Sequence, residues 1–273
     1  MSNLALRTLT ALVGCAVAIG AAWAGGWVFA ALVVGIALVA QHEAYALLAA
    51  AGARPVVALG MAMGAAAVVR PLVPAAAPVL VLGALAVLGV VLVRRSETPL
   101  QDAAATLFGV AYPAAFCAFL VALRLNGGAW LWAGDAEAFW LTTAALVCVW
   151  GADSFAYFAG RAFGRRLLFP RVSPKKTWEG AVGGAVGAFA LAAAFRAFSP
   201  LEDVLTWTDV AALGVACGIA APCGDLTESA FKRSVGVKDS GTLVPGHGGV
   251  LDRIDAALVA IPLVALYFEW ARA

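Results

Sequence analysis

Nine apolar stretches divide this chain, at about 5–24, 27–49, 56–70, 72–93, 103–123, 137–160, 178–198, 207–231 and 250–270. Most are near the ~20 residues that a helix needs to cross a hydrocarbon core, and the third is the shortest. Lipid cannot satisfy exposed backbone N–H and C=O groups, so such stretches must become helices or close into a barrel. The alternating ten-residue pattern of a membrane barrel is absent. The expected fold is therefore an all-α polytopic membrane protein of about nine transmembrane helices. Hydrophobic residues make up 63% of the chain and charged ones 12%, which leaves no room for a separate soluble domain. Abundant Ala and Gly would let these helices pack closely.

Charge placement predicts orientation. All four lysines, Lys175, Lys176, Lys232 and Lys238, fall in two polar segments of the C-terminal half. Arg161, Arg165, Arg166 and Arg171 join the first segment, and Arg233 joins the second. Basic loops stay on the cytoplasmic side, so both segments are expected there. The intervening loop carries Glu202, Asp203 and Asp209 without a cation, which suits the outside. Counting back puts the N-terminus with Arg7 inside, and nine crossings put the C-terminus outside. Arg70 and Arg124 fit this scheme poorly, and each is expected to snorkel to an interface, as is Arg196. His42 and Glu43, read as the end of the second span, are expected to be interfacial. Ala22-Trp23-Ala24 and Leu12-Val13-Gly14-Cys15 resemble processing sites, but apolar sequence continues past both, so an uncleaved first span is expected. The five cysteines sit in apolar stretches with no Cys-x-x-Cys spacing, which predicts small buried hydrophobes.

Three polar units carry chemistry. The first runs from Gly224 to Asp255. On a helix Asp225, Glu228 or Ser229, and Lys232 share one face, and Asp252 and Asp255 share a face at the start of the last helix. Gly246-His247-Gly248-Gly249 lies between them, where backbone can approach a ligand closely. Carboxylates on two helix ends could hold a hard divalent cation such as Mg²⁺, which commonly takes one or two carboxylates plus substrate phosphates. Asp225, Asp252, Glu228 and Asp255 are the candidate metal ligands. The second unit, Ser173-Pro174-Lys175-Lys176-Thr177-Trp178-Glu179-Gly180, joins hydroxyls and ammoniums to a helix N-terminus, a natural anion site. In the third, Asp153, Tyr157, Gly160 or Arg161, and Gly164 lie along one helical stripe, and an acid inside a span is a functional candidate by default. No Ser-His-Asp constellation, Walker loop or dinucleotide fingerprint appears.

These residues also carry a resemblance. Ser229-Ala-Phe-Lys232-Arg233, Lys238-Asp239, Pro245-Gly-His247-Gly-Gly and Asp252-Arg253-Ile-Asp255 resemble the signature of the phosphatidate cytidylyltransferases, or CDP-diacylglycerol synthases. The Ser-Pro-Lys-Lys-Thr-Trp-Glu-Gly segment and the Asp153 stripe resemble that family's other motifs and occur in the same order. The match covers about residues 150 to 258. Val244 and Cys223 depart from the usual pattern without removing a charged group. The resemblance implies that CTP and phosphatidic acid react to give CDP-diacylglycerol and pyrophosphate, with Mg²⁺ and room for a second cation. It implies a catalytic set of Asp225, Asp252, Lys232, Arg233, Lys238, Asp239 and His247. Asp153, Tyr157, Ser173, Lys175, Lys176, Thr177, Ser229, Gly248, Gly249 and Arg253 would bind substrate. The expected partners are CTP, phosphatidic acid and membrane lipid, with no nucleic acid; a homodimer stays open. The expected location is the bacterial inner membrane, with the active site facing the cytoplasm on C-terminal helices. Residues 1–135 would form N-terminal transmembrane helices and 136–273 the catalytic region. Two alternatives are a CTP-dependent enzyme acting on an ether or isoprenoid lipid phosphate, and an ion-coupled transporter.

Overall fold

The computed structural model describes residues 3–243 and 248–271. Each predicted apolar stretch is helical. We label the helices α1 (Asn3–Ala24), α2 (Gly26–Ala50), α3 (Val57–Val69), α4 (Pro74–Val93), α5 (Pro99–Trp130), α6 (Asp135–Phe163), α7 (Trp178–Phe198), α8 (Trp207–Ser234) and α9 (Leu251–Ala271). Seven of these, α2 and α4 to α9, are long and apolar enough to cross a bilayer. Helix α3, with 13 residues, spans about 20 Å at 1.5 Å per residue, short of a ~30 Å core. The chain is an all-α polytopic membrane protein, with one small exception: strands β1 (Leu167–Phe169) and β2 (Ser173–Thr177) form an antiparallel hairpin inside the first basic loop.

Two helices contain a wide π turn, at Val110–Ala115 in α5 and Ala216–Ala220 in α8. Proline explains both. Pro113 lies inside the first and Pro222 follows the second, and a residue without an N–H cannot continue the i to i−4 ladder.

The chain forms two compact units. The first comprises Met1–Val121 and Phe231–Ile254, the second Ala122–Ala230 and Asp255–Ala273. Residues 231–254, most of the Gly224–Asp255 segment, thus group with the N-terminal helices.

In the first unit α2, α3 and α5 meet at a buried polar knot. Gln41 Nε2 donates to the Tyr45 hydroxyl (3.0 Å) and to the Gly60 carbonyl (2.8 Å), and Tyr45 donates to the Thr106 carbonyl (2.8 Å). Gly60, Gly64 and Gly109 leave the space these side chains fill: a methyl at Gly60 would lie 1.9 Å from the Tyr45 oxygen. Nearby, Val56, Met63, Val87, Val91, Ala103 and Val110 make an apolar core.

In the second unit α6 and α7 pack through small residues. A methyl at Gly180 would sit 2.8 Å from the Ala156 carbonyl, one at Gly183 2.3 Å from the Ala159 methyl, and one at Gly184 2.9 Å from the Ala152 carbonyl. Close backbone approach of this kind drives helix association in lipid. Gly184→Leu should therefore lower the melting temperature of the purified protein, at a cost of at least about 1–3 kcal/mol from overpacking. Helix α8 runs antiparallel to α7. Lys176, just before α7, meets Asp225 in the second half of α8. Arg196, near the end of α7, donates to the Leu205 carbonyl (2.9 Å) and stacks over Trp207 at the start of α8. The basic segment and the 199–206 turn consequently lie at opposite ends of this helix pair.

Three interface assignments need correction. Arg124 does not snorkel; it is buried and holds Asp135 in a two-pronged ion pair (2.6 and 3.1 Å). Asp209 is not a loop acid but is buried at the start of α8. It accepts from Thr206 in a capping box and from the Tyr267 hydroxyl (2.9 Å). Glu43 does not present its side chain to an interface either; it is buried within the protein, and α2 continues seven residues beyond it. Of the cysteines, Cys117, Cys148 and Cys217 are buried, Cys15 is half-buried and Cys223 is exposed; all are free thiols.

Candidate active site

The predicted site residues fall into two charged clusters, one in each unit. In the second unit, Gly224 brings α8 against α9, since a methyl there would lie 2.3 Å from the Asp255 carbonyl oxygen. The next residue, Asp225, is thereby set beside α9. The carboxyls of Asp225, Glu228 and Asp153 all lie near enough to Asp255 to act on its charge. Three helices, α6, α8 and α9, supply these four acids. Ser229 donates to Asp225 Oδ1 (3.2 Å), as the shared helix face requires. Lys176 places its ammonium 2.6 Å from Asp225 Oδ2, which joins the second motif to the first.

That lysine is aimed by the hairpin. Pairing of Leu167 with Thr177 fixes β2 at the foot of α7. Thr177 then caps the helix, its hydroxyl accepting from the Gly180 amide (3.1 Å). Glu179 accepts from the Arg165 and Arg166 amides (3.1 and 3.3 Å) and Trp178 donates to the Arg166 carbonyl, so both sides of the loop are tied down. Lys175 alternates to the other face of the strand and is exposed, while Ser173 and Lys176 are half-buried. On α6, Asp153 and Tyr157 are exposed, and Arg161 donates to the Tyr157 hydroxyl (3.1 Å).

The first unit holds the other cluster. Lys232 and Asp252 form a buried ion pair. Asp252 Oδ2 also accepts from the Gly249 amide (2.8 Å), the Ser240 amide (2.9 Å) and the Ser240 hydroxyl (3.0 Å). Gly248 has φ +83°, and a methyl there would press on Asp252 Oδ2 at 2.7 Å, so a residue without a side chain is required on two counts. Arg233, Lys238, Asp239 and Arg253 are exposed around this core, with Arg233 donating to the Val237 carbonyl (2.9 Å). His247 lies outside the described residues.

Sequence reasoning missed Glu43. Its carboxylate accepts from the amides of Val250 (3.0 Å) and Leu251 (2.7 Å) and from the Ser240 hydroxyl (3.2 Å). The signal was available: an acid within an apolar span is a functional candidate, and that rule had selected Asp153.

Among the described residues, no group of three or more His, Cys, Asp or Glu side chains forms a ready metal cage. The donor chemistry nevertheless suits Mg²⁺. Carboxylates near one another repel, a cation relieves that repulsion, and Mg²⁺ commonly completes its shell with water and substrate phosphate.

Apolar helices carrying two charged clusters define a polytopic membrane protein with polar groups placed beyond what a simple bundle needs. The chain belongs to the Cytidylyltransferase family, whose model matches residues 5–271. It is similar to the phosphatidate cytidylyltransferase of Synechocystis sp., at 33% identity over 94% of each chain. It is also similar to the phosphatidate cytidylyltransferases of Haemophilus influenzae, at 52% identity over 45% of this chain and 43% of that protein, and Pseudomonas aeruginosa, at 48% identity over 48% of each. These last two matches span about half the length of the relatives concerned.

Proposed function

We propose that this protein transfers the cytidylyl group of CTP to phosphatidic acid, giving CDP-diacylglycerol and pyrophosphate. We place the reaction at the cytoplasmic face of the bacterial inner membrane, the side on which the positive-inside rule puts both basic segments. The observation that carries this reading is the family match over residues 5–271 together with the two charged clusters formed by its signature residues. The relatives' names supply the substrate class.

A phosphate oxygen of the lipid attacks the α-phosphorus of CTP, and the bond to the pyrophosphate oxygen breaks. The nucleophile is already an oxyanion, so no strong general base is needed. The main barrier is repulsion between anions brought together in a partly desolvated place, where charges act more strongly than in water. Lys175, Lys176, Lys232, Arg233 and Lys238 offset it, and their fixed ammonium and guanidinium groups stabilise charge on the departing pyrophosphate. Hairpin and helix cap hold Lys176 in place, and Asp252 holds Lys232. The carboxylates proposed to bind Mg²⁺ are Asp225, Glu228 and Asp255 in one cluster and Asp252 in the other. When bound, the cation polarises phosphoryl oxygens and neutralises charge. The expected substrate contacts are Gly248 and Gly249, where backbone can approach a ligand closely, and the side chains of Ser173, Thr177, Ser229, Arg253, Asp153 and Tyr157.

The test is pyrophosphate release by the purified full chain in detergent, with CTP and a panel of phosphatidic, ether-lipid and isoprenoid-lipid phosphates. Phosphatidic acid should give the highest rate, EDTA should abolish it and Mg²⁺ should restore it. Faster release with an ether or isoprenoid lipid would reassign the substrate, and release that persists in EDTA would remove the cation.

A further inference from the structure

We infer that Glu43 is a positioning residue, holding the start of α9 and through it the Asp252–Lys232 pair. This deepens the proposed function and rests on it for its catalytic consequence. Glu43 lies more than 180 residues before Lys232 in sequence, yet it is only 7% exposed.

The first amides of a helix have no partner within it. At α9 three consecutive amides are shared between two carboxylates. Gly249 donates to Asp252 Oδ2, Val250 to Glu43 Oε1, and Leu251 to Glu43 Oε2. The Ser240 hydroxyl approaches Glu43 Oε2 (3.2 Å) and Asp252 Oδ2 (3.0 Å), and it has one proton to give. Glu43 and Asp252 are therefore linked through one hydroxyl and adjacent peptide groups. The backbone wraps Glu43 tightly. A methyl at Gly241 would lie 2.4 Å from Glu43 Oε1, and one at Gly249 2.5 Å from Oε2.

The geometry demands a glutamate. Both oxygens accept backbone amides, and negative charge at a helix N-terminus is favoured by the helix dipole. Glutamine keeps the shape but has one acceptor oxygen, so its NH₂ group would face a backbone N–H. Aspartate keeps both acceptors but is one methylene shorter. Glu43 itself touches no reacting atom in this scheme. It fixes the peptide groups on which Asp252, and hence the Lys232 ammonium, depend.

The test uses the full chain in detergent. In Glu43→Gln, hydrogen exchange of the amides at 249–251 should quicken about 10- to 100-fold, the worth of a hydrogen bond to a charged group. The kcat should fall by a similar factor, while the KM for CTP changes by less than about threefold. Combining it with Ser240→Ala should give a less than additive loss of kcat, because both act on one network. Glu43→Asp should recover part of the protection and part of the turnover. If Glu43→Gln does not fold, Glu43→Asp decides by the same readouts. Wild-type exchange at 249–251, or wild-type kcat per folded molecule, in the variant tested would overturn the inference. A wild-type protein inactive on every lipid phosphate would instead sink the proposed function, and the exchange rates would still decide the role of Glu43.

Discussion

Asp252→Asn should cut turnover by about 10²- to 10³-fold or more, the scale seen when a preorganised electrostatic group is removed from a reaction centre. Its carboxylate is buried against Lys232 and also receives the Ser240 and Gly249 amides. The amide would break the buried ion pair with Lys232, a change that costs about 3–5 kcal/mol in comparable pairs. Melting temperature and kcat should therefore both drop. A double variant separates the two effects. Lys232→Met/Asp252→Asn removes both charges, and the asparagine oxygen can still accept from Ser240 and Gly249, so stability should lie above that of Asp252→Asn alone. Turnover should not return, because the groups assigned to phosphate and cation are gone. If the double variant turns over at the wild-type rate, the pair is structural.

Gly224→Val should be nearly as damaging, for a different reason. Even a methyl at this position would lie 2.3 Å from the Asp255 carbonyl and 3.0 Å from Val259 Cγ2. Backbone cannot retreat as a flexible side chain can, so α8 and α9 must part. Overpacking of this kind costs about 1–3 kcal/mol or more, and it moves Asp225 away from Asp255. Displacing a reacting group by ~1 Å can cost about 100-fold in rate, so kcat should fall by at least that much. Gly224→Ala should show the same effect more weakly. Gly35→Ala is the control, because nothing lies within 4 Å of its added methyl, and its turnover should match wild type. Wild-type kcat in Gly224→Val would dissociate the α8–α9 contact from catalysis.

The helices were legible because lipid imposes a length and a composition on them. The bounds of α2, α7 and α9 depart from the predicted stretches by one residue at most, since polar segments punctuate them sharply. The helical face shared by Asp225 and Ser229 was legible as well, because it depends only on local geometry. Features created by distant partners were not. Glu43 looked like an interface acid because its partners, Ser240, Val250 and Leu251, lie about 200 residues away. Arg124 and Asp209 looked like surface charges because their burial depends on an ion pair across a turn and on a tyrosine of α9. The hairpin at Leu167–Thr177 was hidden by its brevity, as a five-residue strand with two lysines gives no alternating apolar signal. The place of 231–254 beside the N-terminal helices was hidden in the same way, because it rests on the bonds of Glu43 and on the packing of Phe231 against Phe108 and Tyr112.

The most direct test of cytidylyl transfer follows the α-phosphorus. Purified protein would be given phosphatidic acid, Mg²⁺ and CTP labelled at the α-phosphate, and the lipid fraction analysed by mass spectrometry. The account predicts label in CDP-diacylglycerol, formed in equal amount to the pyrophosphate released and dependent on both substrates. Label that stays in free CMP, or lipid that remains unlabelled while CTP is consumed, would contradict it.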